Sequence, residues 1–159
     1  MTFQLPDDAR VWIYQSSRLL TAQETDEIQT LTTKFVVDWA SHGRELVAEG
    51  RLLHRRFLVL AVDERVAGAS GCSIDKSTAF IRQLQEKYEL DLLDRLTFAF
   101  RNDENEIQTA ANPEFSSLYH EKKITDNTLI FNNLVANLGD FRMKWEVRLG
   151  DSWHKRLIS

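Results

Sequence analysis

Residues 57–75 read FLVLAVDERVAGASGCSID, and the fold turns on them. The first six are apolar with no polar alternation. A strand of that kind is covered on both faces, which places it at the centre of a sheet. DER at 63–65 reads as a turn, and VAGASGC at 66–72 as a returning strand of little side-chain volume. Small residues from Ala67 to Gly71 let a helix, another backbone or a ligand approach closely, and tight helix-on-sheet packing is the default use. From Cys72 to Asp75 the chain enters a helix. Ser73 or Asp75 serves as its cap, and Phe80, Ile81, Leu84 and Tyr88 form its buried stripe.

Upstream, VWIYQ (11–15) is short, β-branched and aromatic, as a first strand should be. TAQE at 21–24 is a capping box that opens a helix, with Ile28, Leu31, Phe35, Val36 and Trp39 on one face. That helix is expected to close at His42 and Gly43. Downstream, the acidic, leucine-rich LDLLDRL (90–96) ends the first half. TFAF and EIQTA flank a polar turn and predict a hairpin, and Asn112-Pro113 opens a short helix carrying Phe115, Leu118 and Tyr119. TLIFNNLV (128–135) reads as a strand and NLGD as a turn. FRMKWEVRL (141–149) alternates strictly, which predicts a half-buried antiparallel strand. DSWHKRL closes the chain as a short helix capped by Asp151 or Ser152. The expected class is α+β, with a mixed or mainly antiparallel sheet and packed helices in the order β-α-β-β-α-β-β-α-β-β-α. Residues 1–96 and 97–159 would form two halves packed as one compact unit, since some 60 residues alone make a marginal core.

The 159 residues carry a net charge of −4, against the basic field that a general nucleic-acid binder needs. The short basic runs HRR (54–56), KK (122–123) and HKR (154–156) are isolated and read as solvated faces. The longest apolar run has six residues, where a membrane-spanning helix needs about 20. The N-terminus has no apolar signal core, and one cysteine cannot form an intrachain disulfide, so a cytoplasmic location is expected. The four histidines show no metal-ligand spacing, and neither a metal nor a cofactor is expected.

Four candidate sites follow. LVLAVDE (58–64) looks like a Walker B strand, but no glycine is followed by lysine, so the phosphate-cradling loop is missing. Cys72 would lie near a helix N-terminus, where backbone N–H groups favour thiolate, with His42 or His154 as a base. Against that, a lone cysteine commonly packs as a small hydrophobe. The small-residue strand leading into a helix N-terminus is similar to acyl-CoA-binding acetyltransferases, without their glycine spacing. That makes Cys72, Ser73 and Asp75 the candidate site of a small enzyme or acyl-ligand binder. Gly71, Trp153 and His154 are the candidate ligand or partner contacts, because an exposed tryptophan anchors partners well.

Through VWIYQS, FLVLAVDERVAGASGCSID, TLIFNNLV and SWH, nearly the whole chain resembles a family of small bacterial proteins, mostly from Bacteroidetes, often labelled "ABC transporter ATPase". With no phosphate loop and no LSGGQ-type signature, that resemblance implies no ATPase activity here. Residues 97–149 are also similar to GYF-like adaptor modules. Lys122 to Asn132 and Trp145 take the places of that family's helix-following strand and later tryptophan, while its GPF/GYF aromatic signature is absent. The second resemblance implies an interaction module. The reading preferred from sequence is a non-catalytic binding or adaptor protein whose partner is a protein or peptide.

Overall fold

The computed structural model describes residues 3–41, 47–63 and 71–159, with the backbone alone at 40–41 and 71–73. It is an α+β protein whose strand pairs are all antiparallel among the described residues. The chain divides into two compact units, Met1–Leu93 with Leu134–Phe141, and Asp94–Asn133 with Arg142–Ser159.

The first unit is organised by the apolar run. β3 (Phe57–Asp63) is buried at every residue and lies between β1 (Arg10–Gln15) and β2 (Val47–Leu53). Ile13 pairs with Val59, and Gly50 with Leu60. Leu58, Leu60 and Val62 face the helices α1 (Ala22–Ser41) and α2 (Gly71–Tyr88), meeting Ile28, Val36, Trp39, Ile81 and Leu84 in one core. The central placement expected of FLVLAV is therefore found.

Its neighbour is not the expected one. Gly71 and Cys72 already belong to α2, so the returning strand does not run to residue 72, and residues 64–70 lie outside the described residues. Ser73 and Asp75 accordingly sit inside the helix, not at its cap. The strand that does return is β2, upstream of β3, and the hairpin turn falls at His54–Arg56. The basic run expected to be a solvated face is thus a tight turn, with Arg56 buried.

β2 escapes a sequence reading because Glu49, Gly50 and Arg51 interrupt its alternation. Gly50 allows α1 to press directly on the sheet. A Cβ there would collide with Thr32 Cγ2 and stand 3.2 Å from Leu60 Cδ2. The outer edge of β2 is closed by Gln29 of α1, whose Oε1 accepts from Leu52 N (2.9 Å) and whose Nε2 donates to the Gly50 carbonyl (3.1 Å). One side-chain amide thus satisfies two edge groups that another strand would otherwise seek. The capping box is present: Thr21 Oγ1 accepts from Glu24 N, and Glu24 Oε1 from Thr21 N. Arg18 grips the same carboxylate with both Nη atoms, holding Glu24 down to about 2.

The second unit has a four-stranded sheet in the order β5-β4-β6-β7. β4 (Thr97–Arg101) and β5 (Ile107–Ala111) form the expected hairpin. α3 (Glu114–His120) follows, with Asn112 Oδ1 accepting from Ser116 N. β6 is short, Leu129–Phe131. The strand expected over 141–149 is instead α4 (Leu138–Lys144) followed by β7 (Glu146–Arg148). The reason is local: Asn137 Oδ1 accepts from Asp140 N at 2.7 Å, which caps a helix where NLGD reads as a turn. The alternating pattern therefore stops short of a strand, and Met143 is exposed. The terminal helix proves to be two 3-10 turns, Leu149–Asp151 and Trp153–Leu157.

Candidate functional site

The most polar concavity described lies in the second unit. It is an open groove of about 490 Å³ lined by Tyr119, His120, Lys122, Ile124, Thr125, Asp126 and Asn127. Its wall is the end of α3 and the loop that leads to β6. Thr125 and Thr128 fix that loop: Thr128 Oγ1 accepts from Thr125 N, and Thr125 Oγ1 from Asn127 N. The backbone carbonyl of Asp126 accepts from Gly150 N at 2.9 Å, which ties the loop to the first 3-10 turn. A Cβ at Gly150 would press on Asp126 Cβ at 3.0 Å, so glycine suits this approach.

At the groove wall three side chains meet. Lys155 Nζ donates to Asp126 Oδ1 (2.5 Å) and to the Tyr119 hydroxyl (2.6 Å), and that hydroxyl donates to Asp126 Oδ1 (2.8 Å). The ammonium also lies 4.6 Å from the Tyr119 ring centroid. The Lys155 ammonium, then the Tyr119 hydroxyl, hold the Asp126 carboxyl below the usual carboxylate range. Asp126 and then Tyr119 raise Lys155 in turn. His120 Nε2 meets the carbonyl of Ser159, and Asn112 Nδ2 donates to the carbonyl of Leu157, so α3 and the chain end are fastened together.

Behind this wall, His154 is 2% exposed. Its Nδ1 lies 2.6 Å from Ser152 Oγ, and its ring stacks on Trp153 at 3.9 Å and meets Phe98 edge-on. Burial pushes its pKa down to about 4, so the ring is neutral at pH 7. The HKR run is therefore not a single solvated face. Trp153 is half-buried against the core formed by Phe98, Phe115 and Leu149, and its Nε1 donates to Asn132 Oδ1. One face of the Trp153 ring, a candidate partner contact, stacks on His154, while part of the side chain stays in solvent.

Cys72 and Ser73 lie in the first turn of α2, with Gly71 at its start and Asp75 exposed on the next turn. His42, one of the two histidines expected as its base, lies outside the described residues. Asp63, the carboxylate of the Walker B look-alike, ends β3 and is buried. In the same unit a smaller cleft of about 260 Å³ separates α1 from α2, lined by Phe35, Trp39 and Phe80 with Lys76 at its rim. Phe35 stacks on Phe80 at 4.3 Å and on Trp39 at 5.3 Å. These rings pack against one another as core.

No group of three His, Cys, Asp or Glu residues able to hold a metal occurs among the described residues. No helix among them is long and apolar enough to cross a membrane. Sequence reasoning missed Tyr119, Asp126 and Lys155 as a group because they are 36 residues apart at their extremes, with Tyr119 reading as part of the buried side of its helix and Lys155 as part of a solvated basic run. The one available signal was the turn chemistry of ITDNT, which projects Asp126 from a fixed loop. No family model, curated protein or solved structure matches the chain.

Proposed function

We propose that the protein is a non-catalytic cytosolic binding or adaptor protein, and that the groove at Tyr119–Asn127 receives a segment of a polypeptide partner. One observation carries this reading. The one carboxylate of the groove, Asp126, is already matched by Lys155, so the groove offers shape, an aromatic face and an amphipathic rim instead of a free acid. Ile124 is buried beneath it, and Lys122 and Asn127 stand exposed at its border. The groove also falls within the stretch that resembles GYF-like adaptor modules. A photo-crosslinking residue at Lys122 tests the proposal in cells, with Met143 of α4 as an exposed control in the same unit. Discrete heavier adducts from position 122 alone, lost on Tyr119→Ala, are expected. Adducts from neither position, or equally from both, sink it.

A second reading, a small enzyme or acyl-ligand binder at Cys72, Ser73 and Asp75, keeps one support. Cys72 stands in the first turn of an 18-residue helix, where unpaired backbone N–H groups favour thiolate. Thiol labelling of the folded protein decides it. A rate at pH 7 well above that of a free thiol favours the enzyme, and sluggish labelling removes it.

A further inference from the structure

The outer strands of the two sheets are not protected alike. The edge of β2 is closed by the Gln29 amide, and on β1 Val11 N donates to the Ala136 carbonyl. β7 has only three residues, too few for a useful ladder. β5 (Ile107–Ala111, IQTAA) has none of these protections. It holds no proline and no charged residue, and it pairs with β4 residue for residue without a bulge. β4 on one side and α3 are the elements that pack closely on it, and no strand lies on its other side among the described residues.

The pairing fixes which backbone groups face outward. Asn102 N donates to the Glu106 carbonyl, which makes these two a hydrogen-bonded pair. Alternation along the register then gives β4 the bonds of Gln108 and Ala110, opposite Phe100 and Phe98. Ile107, Thr109 and Ala111 therefore turn their N–H and C=O groups away from β4. Among the described residues nothing takes up those groups. Donors and acceptors repeated at every second residue match another extended chain.

Charge selects which chain. Asp103, Glu104 and Glu106 stand exposed on the turn that opens β5, and none has a cation partner among the described residues. Glu104 is hydrogen-bonded to Glu106 and repelled by it and by Asp103, which raises its pKa. The nearby cation is committed elsewhere, because Arg101 forks onto Glu146. Glu114 stands exposed beyond the other end of the strand. A second copy paired antiparallel along β5 would set each acidic turn against the other's Glu114. A strand flanked by lysine or arginine meets opposite charge at both ends.

We infer that the open edge of β5 receives an extended basic segment of a partner protein as an added strand. The edge shares no residue with the groove at Tyr119–Asn127, and the inference does not rest on the reading of that groove.

Amide NMR of the full chain tests it with the capped peptide KRTVTVTRK, whose charged ends bring cations to the acidic turn in either strand direction. Saturable shifts are expected at the amides of Ile107, Thr109 and Ala111. The counterpart EETVTVTEE should bind at least about tenfold more weakly. N-methylation of the backbone throughout the TVTVT core keeps the charge, removes the donors and should abolish the shifts. Thr109→Pro removes an outward N–H and leaves the β4 ladder intact, so it too should weaken binding at least about tenfold. If that variant does not fold, the methylated peptide carries the same test on the unaltered protein. Absence of a saturable shift at these amides overturns the inference, as does equal binding of the acidic peptide or undiminished binding of the methylated one. Concentration-dependent shifts of the same amides without peptide would give the edge to a second copy and overturn it as well.

Discussion

In the first unit the central strand is enclosed by apolar side chains, and Leu58, Leu60 and Val62 pack with aliphatic and aromatic neighbours in one core. In the second unit the large rings are tethered by polar atoms. Trp145 Nε1 donates to Asn133 Oδ1, Trp153 Nε1 to Asn132 Oδ1, and His154 Nδ1 pairs with Ser152 Oγ. Arg101 forks onto Glu146 through Nε and Nη2, both at 2.9 Å. The contrast separates two ways of making a core unique. Apolar packing specifies by volume and fails when volume is added. Tethered rings specify by direction and respond to the protonation or loss of a single partner.

The volume-limited side of that contrast is most exposed at Gly50. Gly50→Val places branched carbon where Thr32 Cγ2 and Val36 Cγ1 already stand, forcing α1 off β2. A loss of about 3 kcal/mol is expected, at the upper end for overpacking. Hydrogen exchange localises it: amides of β3 should exchange faster while those of β4 hold their protection. Gly50→Ala should be milder, and Thr32→Ser, which removes the colliding methyl, should recover part of its cost. Unchanged β3 protection in Gly50→Val would mean that α1 does not rely on this close approach.

The direction-limited side answers to pH through His154. In the unfolded chain its pKa is near the ordinary value of about 6.5, and in the folded unit it is about 4. Between those values the unfolded state binds the extra proton, so stability is intact above pH 6.5 and falls as pH drops toward 4. The loss over the window is on the order of 3 kcal/mol. A His154→Gln variant should be less stable at pH 7 and should lose most of this slope. An NMR titration placing the His154 pKa near 6.5 in the folded protein would show that the ring is hydrated and would erase the contrast.

The same contrast explains what the sequence discloses. FLVLAV, the capping box at Thr21 and the stripe Phe80, Ile81, Leu84 are local patterns whose meaning survives folding, and all three are found in place. β2 is hidden because its packing logic sits in Gly50, whose reason is a helix some 20 residues upstream. α4 is hidden because one side-chain cap at Asn137 outweighs an alternating pattern nine residues long. The groove is harder still, since Tyr119, Asp126 and Lys155 are assembled by hydrogen bonds between a helix end, a loop and a 3-10 turn. Periodicity records which face of an element is buried, and it carries no record of which polar atoms meet.

Smaller effects sharpen the comparison at the ends of elements. Thr21→Ala removes an N-cap acceptor from α1 and should cost about 1 kcal/mol, read from the denaturant midpoint with an unchanged m-value. That is well below the effect at Gly50, because the first unit is held by its centre.

The smallest effect is expected where the second unit looks most strongly tied, at Lys155. Its ammonium touches both Asp126 and Tyr119, but all three side chains reach water, and in the unfolded chain each is equally well solvated. The chain end has other fastenings that need no charge: Asn112 on the Leu157 carbonyl, Ser116 Oγ accepting from Ser159 N, and the buried His154 ring. Lys155→Met keeps the aliphatic stem against the Tyr119 ring and removes only the ion pair. Its Tm should move by no more than about 2 °C, and raising salt should shift wild type toward it. A drop of many degrees would transfer the weight of this unit from its buried rings to an exposed cation, and tethering at the surface would then set its stability.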